Sequence, residues 1–256
     1  MTFLDSIILG IVEGITEFLP VSSTGHLILA SSLLGLPSTE FLKTFEIAIQ
    51  LGAIAAVALL YWRSFLNLGI LKRVIVAFTP TAIIGLALHD FVKENLLGNV
   101  QVVLWALFIG GVALIVFELF HKEKETAKAE VQDITYKQAL LIGLFQSIAV
   151  IPGVSRSAAT IVGGLIAGIR RVAIVEFSFL LAVPVMLAAT GLDLLKSYSL
   201  FSVNDLGNLG VGFVVSFVVA LISIRFLLKY VRTHTFIPFG VYRILIALLF
   251  FFFVLA

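Results

Sequence analysis

Glu13-Gly-Ile-Thr-Glu17-Phe-Leu-Pro20-Val-Ser22-Ser23-Thr24-Gly25-His26 and Gln146-Ser-Ile-Ala-Val-Ile-Pro152-Gly153-Val-Ser155-Arg156-Ser157-Ala-Ala-Thr160 are polar interruptions in strongly apolar surroundings. The regions that contain them, Phe3 to Leu36 and Ala139 to Ile169, are each longer than the roughly 20 residues that one membrane-crossing helix needs. Pro20 and the Pro152-Gly153 pair break the two regions near their middles, so a continuous helix is not expected in either. The alternative is a pair of half-helices that enters the bilayer and returns to the same side. Irregular backbone is tolerated at that depth only where protein or a water-filled cavity satisfies its polar groups. Both breaks are therefore candidate sites.

The remainder of the chain agrees with a membrane setting. Hydrophobic residues make up 61% of the 256 and charged residues 12%, with a mean hydropathy of +1.16; soluble domains run near roughly 45–50% and about 25%. Six further stretches are apolar enough to cross a bilayer: Phe45 to Trp62, Val74 to Leu88 with Pro80 inside it, Val100 to Phe117, Val172 to Leu192, Leu206 to Ile224, and Phe236 to Ala256. The expected fold is an all-α polytopic integral membrane protein, a single membrane domain over residues 1–256. It comprises about six transmembrane helices plus two re-entrant helical hairpins. A formal charge of +2 is too small to indicate a nucleic-acid partner. The absence of cysteine excludes disulfides, thiolate metal sites and cysteine nucleophiles. Met1 to Gly10 lacks a basic leader and carries Asp5, so it is expected to belong to the mature chain.

Basic residues in the loops set orientation. Arg63, Lys72 and Arg73 follow the first span, Lys122, Lys124, Lys128 and Lys137 the third, and Arg225, Lys229 and Arg232 the fifth, which places those loops in the cytoplasm. Arg170 and Arg171 also belong inside. The second broken region then starts and ends at the cytoplasmic face and the first at the outer face. One re-entrant hairpin plus three spans, repeated once, gives two halves of opposite orientation because three is odd. A shift of 133 residues supports such a repeat. It aligns Gly10, Ile15, Val21, Ser22 and Ile28 with Gly143, Ile148, Val154, Ser155 and Ile161, and sets Glu13 opposite Gln146. The expected halves are residues 1–120 and 138–256, inverted repeats joined by the polar loop 121–137 and meeting at their broken elements, as in many transporter folds.

Glu13 and Glu17 are four apart and share one helical face, close enough to hold one divalent cation between them. Acidic groups at membrane depth cost about 2.5–3.5 kcal/mol and usually face a functional cavity; the bland alternative is interfacial Glu paired with loop Lys. Ser22, Ser23 and Thr24 open the next helix, where hydroxyls cap free N–H groups. His26 lies within a turn of them and suits proton transfer near neutrality, although a lone His is often only a satisfied polar group. In the second break, Gly153 turns the chain into a helix whose first turn carries Ser155, Arg156 and Ser157, followed by Thr160. Free N–H donors, the positive end of the helix dipole and a guanidinium together bind phosphate. The competing account is a snorkelling Arg with capping serines. Two carboxylates, one divalent cation and Arg156 leave a surplus of about +1, which a phosphate or diphosphate neutralises. The expected ligand is a phosphorylated lipid.

At Glu13-x-x-x-Glu17-Phe-Leu-Pro-Val-Ser-Ser-Thr-Gly-His26 and Pro152-Gly-x-Ser-Arg-Ser-x-x-Thr160 the sequence resembles the undecaprenyl-diphosphate phosphatase (bacitracin resistance) family, over essentially the full chain. The resemblance implies removal of the terminal phosphate from a C55 polyprenyl diphosphate carrier, recycling it for peptidoglycan synthesis. It also implies dependence on a divalent cation (Mg or Ca) and a bacterial plasma (inner) membrane location. The family's functional positions fall on Glu13, Glu17, Ser22, Ser23, Thr24, His26, Ser155, Arg156, Ser157 and Thr160.

The mechanistic expectation has Arg156, Gly153 and the adjacent N–H groups gripping the diphosphate while Glu13 and Glu17 hold the cation. Ser23 is the expected nucleophile with His26 as its proton partner; attack by His26 itself or by water are the alternatives. A phosphatidic-acid-phosphatase-type site needs a second His six residues after its Arg, where this chain has Val162. An intramembrane serine protease needs Gly-x-Ser-Gly, and here Arg156 follows Ser155. A transporter or flippase is the competitor from another class. A homodimer is a candidate assembly. Glu46, Gln50, Glu176 and Asp193 are expected at the membrane interfaces, and Arg243, deeper in the last span, is expected to pair with a carboxylate.

Overall fold

Helices of 11 to 14 residues are roughly 16–21 Å long and cannot cross a hydrocarbon layer of about 30 Å. The computed structural model, which describes residues 1–37, 39–96, 99–123, 127–197 and 206–252 except the side chains of residues 40, 93 and 192–197, has two consecutive pairs of this length. They are α1 (Phe3–Thr16) with α2 (Ser23–Leu33), and α8 (Tyr136–Ser147) with α9 (Arg156–Ile166). They coincide with the two broken regions. Between them run α3 (Glu40–Leu60), α4 (Trp62–Leu66), α5 (Leu68–Ala87), α6 (His89–Asn95) and α7 (Val100–Phe120). After them come α10 (Arg171–Ser197), α11 (Leu206–Tyr230) and α12 (Ile237–Phe250). Among the described residues, α3, α5, α7, α10 and α11 are long and apolar enough to cross a membrane. The sixth expected span begins with α12; its last residues, 253–256, lie outside the described residues, as do Lys124 and the side chain of Asp193.

Local chemistry starts both short pairs alike. The Thr2 hydroxyl accepts from the Asp5 N–H at 3.2 Å while the Asp5 carboxylate accepts from the Thr2 N–H at 2.6 Å. Thr135 and Gln138 form the same reciprocal cap on α8, at 3.3 and 2.9 Å. Each cap satisfies two donors that a helix start leaves free. At the breaks, the chain turns through a left-handed residue or close to one: Ser22 has φ 75° and Gly153 has φ 92°. Ser22 is the one non-glycine residue at positive φ among the described residues, a conformation that costs of order 1–3 kcal/mol and needs support from its surroundings.

The long helices wrap these turns. α1 lies against α11 and α8 against α5, α3 packs on α10 and α11, and α7 pairs with α12. Small residues make the closest approaches, as expected where helices associate without a hydrophobic driving force. A Cβ on Gly10 would sit 2.9 Å from the Gly212 carbonyl oxygen, and one on Gly143 would overlap the Ala77 carbonyl. Large apolar side chains such as Trp105, Ile109, Leu119 and Ile222 stay exposed on the outer helix faces, where lipid replaces protein. At the end of α7, the buried Glu118 carboxylate accepts from both terminal nitrogens of Arg171 and from the Phe236 N–H at 3.2 Å. This links α7, α10 and the start of α12.

Arg243 departs from expectation. It is 1% exposed and its hydrogen bonds among the described residues run to four backbone carbonyls and to no carboxylate. Nε donates to Leu107 at 3.3 Å, Nη1 to Pro20 at 3.4 Å, and Nη2 to Ala106 at 3.0 Å and Gly153 at 3.2 Å. The physical reason lies in the breaks themselves, because interrupted helices leave carbonyls without intrahelical donors and a guanidinium carries five N–H groups in a planar fork. Arg243 thereby fastens the turn at Pro20 to the turn at Gly153. The fit is close: Cβ atoms are missing at Gly110, where one would strike the guanidinium, and at Gly153, where one would lie 2.7 Å from the Val103 carbonyl oxygen.

Two stability predictions arise from this packing. Arg243→Met keeps bulk but strands buried carbonyls, and is expected to cost about 2 kcal/mol or more, read as a lower thermal unfolding midpoint in detergent. Gly143→Ala should force α8 off α5 at about 1–3 kcal/mol; a midpoint equal to wild type for either variant contradicts the contact assigned to it.

Candidate active site

The first break puts three chemical groups where α1 ends and α2 begins. Glu17 follows the last turn of α1, its N–H still bonded to the Glu13 carbonyl at 2.9 Å, and its carboxylate points back over the start of α2. Oε2 accepts from the Ser23 hydroxyl at 2.5 Å. Oε1 accepts from Arg156 Nη2 at 2.6 Å, with Glu17 and Arg156 side chains only 6% and 13% exposed. The second break thus reaches the first across 139 residues of chain. Arg156 is held from its other side by the Ser178 carbonyl, which accepts from Nη1 at 3.2 Å. A second strut joins the same turns, since the Ser157 hydroxyl donates to the Phe18 carbonyl at 2.8 Å. Phe18 is fully buried and meets Phe179 edge to face at 5.4 Å, which fixes the backbone that presents that carbonyl.

The remaining expected residues divide between site and scaffold. Ser155 caps α9, accepting from the Ala158 N–H at 3.1 Å. Ser22 occupies the same position before α2 but its side chain makes no capping bond, a departure from the capping role considered for it; its φ of 75° is not the extended conformation of a capping residue. Thr24 is half-buried in the first turn of α2. Thr160 donates within its own helix to the Arg156 carbonyl at 2.9 Å and contacts Gln146 Oε1 at 3.1 Å. Gln146 Nε2 in turn reaches the Thr81 hydroxyl at 2.9 Å. Thr160 therefore belongs to a polar network behind α9. Glu46 and Glu176 are half-buried on α3 and α10.

Ser23 and His26 are not hydrogen-bonded to each other in this arrangement. The Ser23 proton is directed at Glu17, and His26 is turned away to the Ser22 carbonyl, 2.7 Å from Nδ1, and the Tyr242 hydroxyl, 2.8 Å from Nε2. Sharing a helical turn brought the two residues near one another, but a helix side chain reaches the carbonyl four residues back as readily as its neighbour. The group adjacent to the Ser23 proton is Glu17. Tyr242 is the residue beside the site that sequence reasoning left without a role, and Arg243 the one to which it gave the wrong partner. Arg243 was visible as a charge in a span, while nothing in the sequence around Tyr242 ties it to His26.

Glu13 completes the acidic face. It is fully buried one turn before Glu17, and neither carboxylate oxygen has a hydrogen-bond partner among the described residues. A buried carboxylate without donors is costly unless a cation or proton meets it. Its two hard oxygens suit Mg or Ca. No group of three or more His, Cys, Asp or Glu side chains among the described residues is arranged to hold a metal, so an ion there would need oxygens from a ligand to fill its coordination shell. With Arg243 behind the turns, Arg156 in front and two carboxylates, a bound divalent ion would bring the surplus to about +2, opposite in sign and similar in size to the charge of a terminal phosphate.

Comparison with known proteins points to the same chemistry. Residues 6–249 match the family model described as bacitracin resistance protein BacA. A relative from Sulfurihydrogenibium sp. named undecaprenyl-diphosphatase is 51% identical over 98% of this chain and 99% of its own length. Relatives of the same name from Wolinella succinogenes and Aquifex aeolicus are 51% and 49% identical, over 99% and 98% of this chain and 98% of their own lengths in both cases. With two acidic residues, a serine and an arginine gathered from two helical breaks, and a match that spans nearly its whole length, this multi-pass membrane protein belongs to the bacitracin resistance protein BacA family.

Proposed function

We propose that the protein hydrolyses undecaprenyl diphosphate to undecaprenyl phosphate and inorganic phosphate, returning the lipid carrier to peptidoglycan synthesis and thereby conferring bacitracin resistance. The observation that carries this reading is the 2.6 Å contact between Arg156 and Glu17, which joins an anion-binding helix start to an acidic face beside a serine hydroxyl. The location that fits this substrate is the plasma (inner) membrane of a bacterium, with the acidic hairpin entering from the outer face by the loop-charge pattern.

In the proposed reaction Arg156, the N–H groups beyond Gly153 and the hydroxyls of Ser22 and Thr24 hold the diphosphate. Ser23 Oγ attacks the terminal phosphorus, its proton passes to Glu17 Oε2, and the bond to the bridging oxygen breaks as undecaprenyl phosphate leaves. Water then cleaves the phosphorylated Ser23, and His26 serves the proton transfer of this second half. Glu13, with Glu17, would hold a divalent cation that supplies charge neutralisation at the phosphate oxygens. Arg156 in this scheme trades its contact with Glu17 for the substrate, so the resting ion pair keeps both side chains ready and the pocket electrically matched until the lipid arrives.

The two halves, residues 1–120 and 138–256, are proposed to be inverted copies. The support is positional: the caps at Thr2 and Thr135, the close-packing Gly10 and Gly143, and Ser22 and Ser155 before α2 and α9 all share an offset of 133 residues. The packing is reciprocal, with α1 on α11 and α8 on α5.

Purified protein in detergent tests the reading, because phosphate release from a polyprenyl diphosphate needs no second compartment whereas transport does. Glu17→Ala and Arg156→Ala are each expected to lower kcat about 100-fold or more with the fold retained, and chelation of divalent cations should abolish turnover reversibly. Arg156→Lys should be nearly as damaged, since a point charge cannot replace the planar fork. Near-normal turnover in Arg156→Lys contradicts the assigned grip, and turnover unchanged by chelation removes the cation.

A further inference from the structure

His26 has no free nitrogen in this site. Nδ1 lies 2.7 Å from the Ser22 carbonyl oxygen, and a carbonyl only accepts, so Nδ1 carries the proton. In the neutral ring Nε2 is then the acceptor, with one in-plane lone pair. The Tyr242 hydroxyl fills it from 2.8 Å. The two rings stack with centroids 5.4 Å apart and planes 8° from parallel, so the hydroxyl is held in register by packing as well as by the hydrogen bond. Arg243, next along α12, fixes that part of the helix to the carbonyls of both breaks. His26 is 8% exposed whereas Tyr242 is 40% exposed, so the tyrosine is the more accessible member of the pair.

A proton can reach His26 in this arrangement only through the Tyr242 hydroxyl or by displacing it. We propose that Tyr242 is a proton relay between the attacking water and His26, an assignment that rests on the phosphatase reading above. In the second half of the reaction the water oxygen bonds to phosphorus as the Ser23 Oγ–P bond breaks. The water proton passes to Tyr242 Oη while the Tyr242 proton moves to His26 Nε2. Ser23 recovers the proton it gave to Glu17, inorganic phosphate leaves, and His26 returns its extra proton to solvent by the same hydroxyl. A hydroxyl suits this task because it donates and accepts at once. Phenylalanine would keep the ring stack and lose the path.

The test combines kinetics with a measurement that does not depend on turnover. Tyr242→Phe is expected to lower kcat about 100-fold, with KM within about twofold and the thermal midpoint unchanged. In a His26→Gln background the same substitution should add little, because both changes cut one path. Equal kcat in Tyr242→Phe and wild type, or losses that multiply in the double variant, would overturn the relay. Nitrogen-15 spectra of histidine-labelled wild type, with the His26 signals identified by their loss in His26→Gln, should show Nδ1 protonated and Nε2 unprotonated. The opposite tautomer overturns the proposal whatever any variant does. A wild type that binds the lipid diphosphate but releases no phosphate defeats the phosphatase reading itself, and the spectra still report whether the Tyr242–His26 bond exists.

Discussion

A buried carboxylate and a largely buried guanidinium brought together between the helices are the constraint on which this architecture turns. Charges of this kind are expensive in an apolar medium unless each finds a partner of good geometry. Glu17 and Arg156 provide that for each other at 2.6 Å, and they do so only because two separate helical breaks are held in contact. The helices around them can be read as the means of keeping those breaks adjacent. α1 and α8 lean on α11 and α5, and α7 with α12 closes over the turns.

Arg243 shows how the irregular backbone is made tolerable. Each break frees carbonyls that water would satisfy in a soluble protein and that hydrocarbon cannot. One guanidinium answers one in each turn, at Pro20 and Gly153, and anchors itself on two further carbonyls of α7, at Ala106 and Leu107. Among the described residues no carboxylate hydrogen-bonds this guanidinium, so its positive charge is met by backbone dipoles alone. Structural glue and a field that favours an anion come from a single side chain. The exposed apolar surface and the buried polar centre are therefore complementary halves of one design: a lipid diphosphate has a tail that belongs outside these helices and a head that belongs between them.

The proton inventory of the site also follows from geometry. Ser23 is paired with Glu17 and His26 with Tyr242, giving two separate hydrogen-bonded pairs on adjacent parts of α2. The reaction proposed above, which first phosphorylates a serine and then hydrolyses it, would use two proton acceptors at different moments. Keeping them as separate pairs avoids asking one imidazole to serve both steps.

The amino-acid sequence by itself determined the membrane class, the helical content, the two breaks and the residue types gathered at them. These rest on local physics: hydropathy over a span, proline and glycine at a turn, and hydroxyls at a helix start all act within a few residues. It also marked Glu17 and Arg156 as charges that had to be satisfied. Only the tertiary structure decided with whom. That Ser23 faces Glu17 instead of His26, that Arg243 binds carbonyls where a carboxylate was expected, and that Tyr242 reaches His26 from 216 residues away depend on how the helices pack, and packing across such distances leaves no periodic trace along the chain. Backbone carbonyls are the extreme case, since every residue has one and no sequence pattern says which will be left without a donor.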